Sequence, residues 1–295
     1  MNIVNILTIF TPTYNRATTI GRVYTSLLAQ TNKSFEWFII DDGSKDNTKE
    51  LVEKWINEDK IPIKYVKQAN SGKIKSINKS LKETKTPLWI CLDSDDWFTP
   101  DAVEIIINNY NSIKDDEKIC GMIALRSNED LTPMQDKFIP SKFKYLTQGH
   151  LRYNLKIGPE YAQVYKTDII KNYLYPEING ENYFPLSYMA DELDRKYELL
   201  VIHDPIMIIE YQENGITKNN KKHVKNNPIG HLIFRHNQFE TAPNLMQKIK
   251  SGIAYNSATI IAKKRIPYNK KSDSFLSLLL SPIGFIDYIW RFKRN

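Results

Sequence analysis

The sequence predicts an α/β fold, with a mainly parallel β-sheet flanked by helices. Short apolar runs alternate with helix-like stretches through the first 125 residues. The apolar runs are Ile3–Phe10, Phe35–Ile40, Ile63–Val66, Leu88–Leu92 and Ile119–Leu125, and the helix-like stretches fall near Ala17–Gln30, Asn47–Asn57, Lys73–Glu83 and Asp101–Asn111. This alternation is typical of βαβ units, in which buried parallel strands are covered by helices on the faces of the sheet.

The composition fits a globular protein with a sizeable core. The chain has 295 residues, of which 41% are hydrophobic and 25% charged. Its two cysteines, Cys91 and Cys120, both lie inside apolar runs. This excludes a disulfide framework and favours reduced thiols in a cytosolic protein. Met1–Val4 lacks the basic segment that opens a secretory signal, so we expect a cytoplasmic location.

Charge is distributed unevenly along the chain. From Lys218 to Asn295 there are fifteen Lys and Arg residues and three acids, a balance of +12, whereas the remainder has 26 basic and 31 acidic residues, a balance of −5. We therefore expect a globular domain at residues 1–217 and a basic helical extension at 218–295. The asymmetry indicates a polyanionic partner, either an anionic membrane surface or a nucleic acid.

The extension ends in an apolar stretch, Phe275–Trp290, which Pro282 and Gly284 interrupt. Crossing a bilayer takes about 20 apolar residues, so this stretch is too short for a spanning helix. We expect residues 274–294 to lie bent along a membrane surface, with flanking basic side chains at the headgroups. Those side chains are Lys270, Lys271, Arg291, Lys293 and Arg294. The alternative is a C-terminal helix folded onto the rest of the protein.

Acidic residues follow two of the apolar runs directly. Asp41–Ser44 comes after Phe35–Ile40, and Asp93–Asp96 comes after Leu88–Leu92. Ligands of open α/β sheets bind at the carboxyl ends of the strands. Residues at i and i+2 of an extended segment point the same way, so Asp93 and Asp95 can share one Mg²⁺ or Mn²⁺. With such a cation the aspartates form a diphosphate clamp; without one, Asp93–Asp96 is a solvated acidic turn.

Three further segments could bind a ligand or have a structural role. In the segment after Phe35–Ile40, Asp41 and Asp42 can accept the imide N–H of a uracil or the hydroxyls of a ribose. Asp46, in the same segment, is expected to be a structural helix-capping residue. The loop Thr11–Arg16 can seat a base and ribose or be an ordinary turn. The turn Asn70–Lys73, at the start of a helix, suits an anion and equally suits an ordinary loop.

These segments resemble the family 2 glycosyltransferases in their order and spacing. The resemblance rests on Thr11–Asn15, Ile40–Ser44, Asn70–Gly72 with Asn78, and Asp93–Asp96. It implies a GT-A (Rossmann-like) fold with a mixed, mainly parallel sheet, a nucleotide-sugar donor that is usually UDP-linked, a divalent metal (Mn²⁺ or Mg²⁺) and inversion at the anomeric carbon. It also implies that Asp42 holds the base, and that Asp93 and Asp95 sit at the metal and diphosphate. The expected donor site comprises Thr11, Pro12, Thr13, Tyr14, Asp41, Asp42, Asn70, Gly72, Lys73, Asp93, Ser94 and Asp95.

The resemblance implies a donor-binding half at residues 1–110 and an acceptor half at 111–217. Family members carry a catalytic carboxylate in the second half, often in a Glu-Asp pair that this chain lacks there. The candidates are Glu181, on a glycine-hinged loop, and Asp191, in the following helix. Gly180–Tyr188, with Glu210, Tyr211 and Gly215–Thr217, looks like a subgroup of bacterial polysaccharide-building members. Glu181 is therefore favoured as general base, with Asp191 as the alternative.

We expect an inverting hexosyl- or N-acetylhexosaminyl-transferase of polysaccharide biosynthesis for the cell envelope. Its acceptor would be a glycan or a lipid-linked saccharide at the inner face of the cell membrane. A sugar nucleotidyltransferase is the alternative enzyme, but it usually needs a glycine-rich phosphate loop, and Phe10–Arg16 contains no glycine. A nucleic-acid-binding protein is the non-enzymatic alternative, but the aromatic residues of the tail show no RNA-binding signature, so no nucleic-acid partner is expected.

Overall fold

The structure is a computed structural model that describes residues 4–134, 137–158, 160–210 and 220–293. Tyr211 and Gly215–Thr217 of the sequence motifs, and Arg294 of the basic tail, lie outside the described residues. The chain divides into two compact units. The first unit is Met1–Leu174 with Lys196–Tyr211, and the second is Tyr175–Arg195 with Gln212–Asn295.

The first unit is built on a mixed, mainly parallel sheet, as predicted. Its strands are β1 (Leu7–Thr13), β2 (Phe35–Asp41), β3 (Ile63–Lys67), β4 (Leu88–Cys91), β6 (Ile119–Leu125), β7 (Tyr145–Leu146), β8 (Tyr161–Lys166) and β9 (Glu198–Val201). The strand order is β3-β2-β1-β4-β8-β6-β9-β7, with β7 and β8 antiparallel to their neighbours. A second small sheet pairs β5 (Trp97–Phe98) with β10 (Met207–Ile208).

Helices cover both faces of this sheet. They are α1 (Ile20–Leu28), α2 (Thr48–Glu58), α3 (Lys73–Glu83), α4 (Ala102–Ile113) and the short α5 (Thr167–Ile170). On one face, the stacked rings of Tyr24, Trp37 and Trp55 join α1, β2 and α2 in the main apolar core. On the other face, Phe10 stacks on Trp89, whose indole N–H donates to Ser80 of α3. Alternate side chains of each buried strand thus serve two helix layers.

The register brings the ends of the parallel strands together. Thr13 of β1 is paired with Asp41 of β2, and Phe10 of β1 is paired with Cys91 of β4. β8 is antiparallel to both β4 and β6, so β6 runs in the same direction as β4 and ends at the same edge. This edge therefore carries the segments that follow β1, β2, β4 and β6.

Several boundaries differ from the sequence prediction. The first strand was expected at Ile3–Phe10 but is Leu7–Thr13, so Thr11–Thr13 are strand residues rather than loop. The two-residue strands β5, β7 and β10 are too short to leave a periodic pattern in the sequence. They form because a neighbouring strand is available for pairing, which is a tertiary effect.

The second unit does not follow the predicted domain boundary at residue 217. It contains α6 (Ser187–Leu193), α7 (Asn220–Asn226), α8 (Pro228–Glu240), α9 (Leu245–Ala262) and α10 (Lys271–Tyr288), followed by a π-helical turn, Ile289–Lys293. Tyr175–Arg195 belongs to this unit because its loop is hydrogen-bonded to the start of α8. The helix α10 continues through Pro282, where the sequence predicted a bend.

Candidate functional site

The end of β1 presents few side chains to a ligand. Thr11 is buried and its hydroxyl accepts a hydrogen bond of 2.9 Å from the indole of Trp37. Thr13 is buried as well, whereas Pro12 is half-buried and Tyr14 is exposed. Of the four residues predicted here, Pro12 and Tyr14 are therefore the ones whose side chains have exposed surface.

The loop after β1 is fastened to the loop after β2. Asn15 has a positive φ of 53°, its N–H donates to Ser44, and its side-chain oxygen accepts from the N–H of Lys45. Asp46 accepts from the N–H of Ala17 at 3.0 Å and also from Thr48. Asp46 thus has the structural role that the sequence predicted, and the two loops form one fixed platform.

Asp41 lies beneath this platform and is completely buried. One carboxylate oxygen accepts the N–H of Ser44 at 2.7 Å, and the other accepts the hydroxyl of Tyr65 at 2.7 Å. Burial and the charge of Asp41 raise the pKa of Tyr65, which keeps this phenol a hydrogen-bond donor. In this arrangement Asp41 holds the turn in place and offers no surface to a donor.

Asp42 holds the turn that starts α3. Its oxygens accept the N–H groups of Ser71 at 2.9 Å and Gly72 at 2.8 Å, and the amide of Gln68 at 2.9 Å. Gly43 makes this approach feasible: its φ is +88°, and a Cβ there would lie 3.1 Å from the backbone nitrogen of Asn70. Asp42 therefore joins the second and third predicted motifs, Asp41–Ser44 and Asn70–Lys73.

Lys73, the first residue of α3, forms a close ion pair with Asp93. Its Nζ lies 2.6 Å from Oδ1 of Asp93, and the thiol of Cys91 is 3.8 Å from the same oxygen. Burial tends to raise the pKa of Asp93, but the charges of Lys73 and Arg126 outweigh it and hold the pKa below its usual range. Burial, reinforced by the charge of Asp93, raises the pKa of Cys91 to about 12, so the thiol stays protonated.

The other two aspartates of this segment also face basic side chains. Asp95 is 3.6 Å from Arg16, and the buried Asp96 is 3.3 Å from Arg126. Ser94, between them, is buried. Burial, with the charges of Asp93 and Asp95, raises the pKa of Asp96 to about 7 in spite of Arg126. The segment after β4 thus places three carboxylates opposite three cations, Lys73, Arg16 and Arg126.

Arg126 is a residue that the sequence analysis did not single out. It follows β6 directly, its Nε donates to the carbonyl of Tyr161 at 3.1 Å, and it lies 3.9 Å from Glu160. The signal that identified the aspartates, a polar residue immediately after an apolar run, also applies to Arg126. Arg16 lay inside a predicted motif, but nothing in the sequence pointed to its contact with Asp95.

The carboxylates of Asp93 and Asp95 are the predicted metal ligands. Mg²⁺ and Mn²⁺ are commonly held by one or two carboxylates, with waters and substrate phosphates completing the coordination. Within the described residues no three His, Cys, Asp or Glu side chains converge on one metal position. Lys73 contacts one oxygen of Asp93, and Arg16 contacts one oxygen of Asp95. Two carboxylates held in this way still fit a cation that shares its coordination with a donor diphosphate.

Both candidates for the general base belong to the second unit. The oxygens of Glu181 accept the N–H groups of Ile229 at 2.8 Å and Gly230 at 2.7 Å, in the first turn of α8. In return, the side-chain oxygen of Asn227 accepts the N–H groups of Asn182 and Tyr183 at 2.9 and 3.1 Å. Glu181 is thus a helix cap in this structure. Asp191 lies in α6 and is half-buried.

The edge of the first unit therefore combines a platform of two hydrogen-bonded loops with an acidic segment that faces three cations. Within the first unit the structure brings together the loops after β1, β2 and β4 and the start of α3. Such an arrangement suits an anion that carries its own divalent cation. The thiol of Cys91 is held protonated there, so it is not a ready nucleophile.

Comparison with curated proteins finds relatives among polysaccharide synthases. A hyaluronan synthase of Pasteurella multocida is 33% identical over 133 residues, which are 45% of this chain and 13% of that protein. A poly-beta-1,6-N-acetyl-D-glucosamine synthase of Staphylococcus aureus (strain COL) is 36% identical over 97 residues, which are 33% of this chain and 23% of that protein. The chain thus spans less than a quarter of the length of these relatives.

Solved structures match nearly the whole chain. S. aureus TarS 1-349 in complex with UDP-GlcNAc has a TM-score of 0.60 at 16% identity, covering 97% of this chain and 91% of that one. The mannosyltransferase PcManGT from Pyrobaculum calidifontis, in complex with GDP-Man and Mn²⁺, has a TM-score of 0.55 at 14% identity, covering 100% and 89%. These likenesses show the fold, which is the GT-A fold that the sequence resemblance implied.

Residues 8–174, more than half of the chain, match glycosyl transferase family 2. The matched stretch contains the loops after β1, β2 and β4 and the start of α3, which are the segments on which the sequence resemblance rested. The chain therefore belongs to glycosyl transferase family 2.

Proposed function

We propose that this glycosyltransferase moves a hexosyl or N-acetylhexosaminyl group from a UDP-linked donor to a hydroxyl group, with inversion at the anomeric carbon. The observation that carries the proposal is the acidic segment Asp93–Asp96 facing Lys73, Arg16 and Arg126 at the carboxyl edge of the sheet. A nucleotide diphosphate sugar needs both charges there: carboxylates to hold a divalent cation and basic side chains to hold phosphate oxygens. TarS, a structural neighbour, is known in complex with UDP-GlcNAc.

The base of the donor would lie on the platform formed by the loops after β1 and β2. Tyr14 and Pro12 offer apolar surface for the ring, and Asp42 is the proposed partner of the uracil imide. The oxygens of Asp42 already accept backbone N–H groups from Ser71 and Gly72. Oδ1 of Asp42 also accepts from the side chains of Gln68 and Ser71, whereas Oδ2 accepts the N–H of Gly72. The second lone pair of Oδ2 is therefore the proposed acceptor of the imide N–H.

The diphosphate of the donor would lie against Lys73 and Arg16, the two basic side chains that contact Asp93 and Asp95. In the proposed complex, Asp93 and Asp95 hold Mn²⁺ or Mg²⁺. When bound, this ion would neutralise the charge that develops on the departing diphosphate. Arg126 would have a positioning role, because it forms ion pairs with Asp96 and Glu160.

The acceptor hydroxyl must lose a proton as it attacks, and a carboxylate is the proposed general base. The sequence favoured Glu181. In the structure Glu181 has a structural role, because its oxygens cap α8. We therefore propose Asp191 as the base and keep Glu181 as the alternative. A direct attack opposite the leaving group inverts the anomeric centre without an enzyme nucleophile.

The proposed acceptor is a glycan or a lipid-linked saccharide at the cytoplasmic face of the cell membrane, in polysaccharide biosynthesis for the cell envelope. The support is the similarity to synthases of hyaluronan and of poly-beta-1,6-N-acetyl-D-glucosamine.

A donor panel tests this function directly. The protein would be incubated with Mn²⁺ and UDP-glucose, UDP-galactose, UDP-GlcNAc, UDP-GalNAc or GDP-mannose, and release of the nucleoside diphosphate would be followed with and without short glycan acceptors. We expect one UDP sugar to dominate and the product linkage, assigned by NMR, to be inverted. A retained anomeric configuration, or turnover restricted to the GDP donor, would contradict the proposal.

A further inference from the structure

The inner side of α10 carries two buried polar residues, Asp273 and Ser277, beside Leu280 and Gly284. Asp273 is buried and forms an ion pair of 2.8 Å with Lys248 of α9. Ser277 is buried too, and its carbonyl and hydroxyl accept hydrogen bonds from the side-chain amide of Asn256 at 2.9 and 3.2 Å. The hydroxyl of Tyr268 donates to the same serine at 2.8 Å. Hydrogen bonds and an ion pair therefore contribute to the packing of α10 on α9.

Small residues allow the two helices to come close. A Cβ added to Gly284 would lie 2.4 Å from Cβ of Asn256, and one added to Gly252 would lie 2.7 Å from the side chain of Leu280. Close approach at glycines, together with interhelical hydrogen bonds, is typical of helices packed in a lipid environment.

The outer side of α10 is apolar. Its residues recur at the helical spacing i, i+3, i+4, i+7, i+8 and i+11, and they form one continuous stripe. The stripe consists of Phe275, Leu278, Leu279, Pro282, Ile283 and Ile286, and Phe285 and Trp290 lie beside it. Phe275 is 64% exposed, Ile286 is 64% exposed and Trp290 is 65% exposed. A helix of a water-soluble domain has the reverse arrangement, with apolar residues inside and polar residues outside.

Basic residues lie at both ends of the stripe. Lys270 and Lys271 precede it, and Arg291 and Lys293 follow it. The acids of the segment are compensated: Asp273 pairs with Lys248, and Asp287 pairs with Arg291 at 2.7 Å. The apolar stripe is thus bracketed by positive charge, which matches the negative potential of a membrane rich in anionic lipids.

We propose that α10 lies in the plane of an anionic membrane surface, with its apolar stripe in the acyl boundary and its polar side on α9. Among the described residues, Lys271–Lys293 is the segment long and apolar enough to cross a bilayer by length and composition. The contacts of Asp273, Ser277 and Gly284 hold α10 against α9. Among the described residues α9 is not apolar enough to cross a bilayer, so α10 could not cross without losing these contacts. This surface is independent of the donor chemistry proposed above.

The test measures binding of the full-length protein to vesicles of phosphatidylcholine with and without phosphatidylglycerol. The wild type should float with anionic vesicles and bind neutral ones much more weakly. The double variant Leu279→Glu/Ile286→Glu changes two exposed side chains and should leave the fold intact. Its affinity for anionic vesicles should fall by roughly a hundredfold or more, because two side chains that would be buried in the membrane can no longer insert.

A matched control places the same charges on exposed apolar residues elsewhere. The variant Leu131→Glu/Phe138→Glu changes two exposed side chains of the first unit and should bind vesicles like the wild type. The variant Lys270→Glu/Lys271→Glu should lose the preference for anionic lipid. Equal binding by the wild type and the α10 double variant would overturn the proposal. A second result would also overturn it: a wild-type protein that is a dimer in solution and does not bind vesicles, together with an α10 double variant that is a monomer. In that case a second copy of the chain covers the stripe.

Discussion

The ammonium group of Lys73 lies 2.6 Å from Oδ1 of Asp93. Lys73 opens α3 and Asp93 follows β4, so this contact joins two loops at the same edge of the sheet. Burial alone favours the neutral form of each group, but their mutual attraction lowers the pKa of Asp93 and raises that of Lys73. Both groups therefore stay charged at neutral pH, ready for a ligand that carries charges of both signs.

Removal of Lys73 should weaken donor binding and transfer. Lys73→Gln leaves Asp93 without its nearest cation, so its pKa should rise and the site should lose a phosphate-binding charge. We expect transfer to fall by roughly a hundredfold, with a weaker affinity for UDP in calorimetry. Lys114→Gln is the control, because Lys114 is exposed at the other end of the sheet, after α4. Unchanged UDP affinity in Lys73→Gln would remove this lysine from the donor site.

Binding of UDP should depend on a divalent cation through Asp95. Calorimetry of the wild type should show UDP binding with Mn²⁺ and much weaker binding with a chelator. Asp95→Asn should lose most of this difference, because an amide is a poorer ligand than a carboxylate for these ions. The melting temperature should change little, since Asp95 is partly exposed and its pairing with Arg16 is long, at 3.6 Å. The same affinity with Mn²⁺ and with chelator would contradict the metal assignment.

Glu181 and Asp191 should separate into a structural and a catalytic role. Glu181→Gln places an NH₂ group opposite the N–H of Ile229 or Gly230, which should lower the free energy of unfolding by about 1–3 kcal/mol. Asp191→Asn should preserve donor binding and lower transfer by roughly a hundredfold or more. Urea unfolding and single-turnover transfer, measured on both variants, distinguish the roles. If Glu181→Gln unfolds like the wild type but loses transfer, the glutamate is the base.

The first half of the sheet was predictable because its signals are local. Each buried strand of β1–β4 is an apolar run, and the loops at the carboxyl edge of the sheet begin where such a run stops. The sequence alone therefore predicts that the aspartates at the ends of β2 and β4 lie at one edge. The roles of Asp41 and Asp42 were less predictable, because the same carboxylate can face a ligand or hold a turn, and only Tyr65 and Gly72 reveal which.

The second half was less predictable for a different reason. Tyr175–Arg195 leaves the first unit and packs with helices that follow it by more than 30 residues, through Glu181, Asn227 and Gly230. Hydrogen bonds between side chains and distant backbone groups leave no periodic signal in the sequence. The inner side of α10 was not predicted, because Ser277 and Gly284 look like interruptions of an apolar run, whereas they contact α9.

Asp96 should make the stability of the metal-free protein fall as the pH rises towards 8. Burial raises its pKa from an ordinary 3.8 to about 7 in the folded state. Between these values the folded protein holds a proton that the unfolded chain has released, so stability is greatest below the unfolded pKa and is lost as the pH rises through 7. The loss is at most about 4 kcal/mol, since one pKa unit corresponds to ~1.4 kcal/mol.

Asp96→Asn removes this proton and should flatten the change between pH 5 and 8. Urea unfolding midpoints, measured in the presence of chelator at pH 5, 6, 7 and 8, give the comparison. Asp115→Asn, which alters an exposed aspartate after α4, should keep the wild-type slope. If Asp96→Asn and the wild type show the same slope, the buried carboxylate is ionised throughout. Its contact of 3.3 Å with Arg126 would then be a full ion pair, which compensates for the burial of both groups.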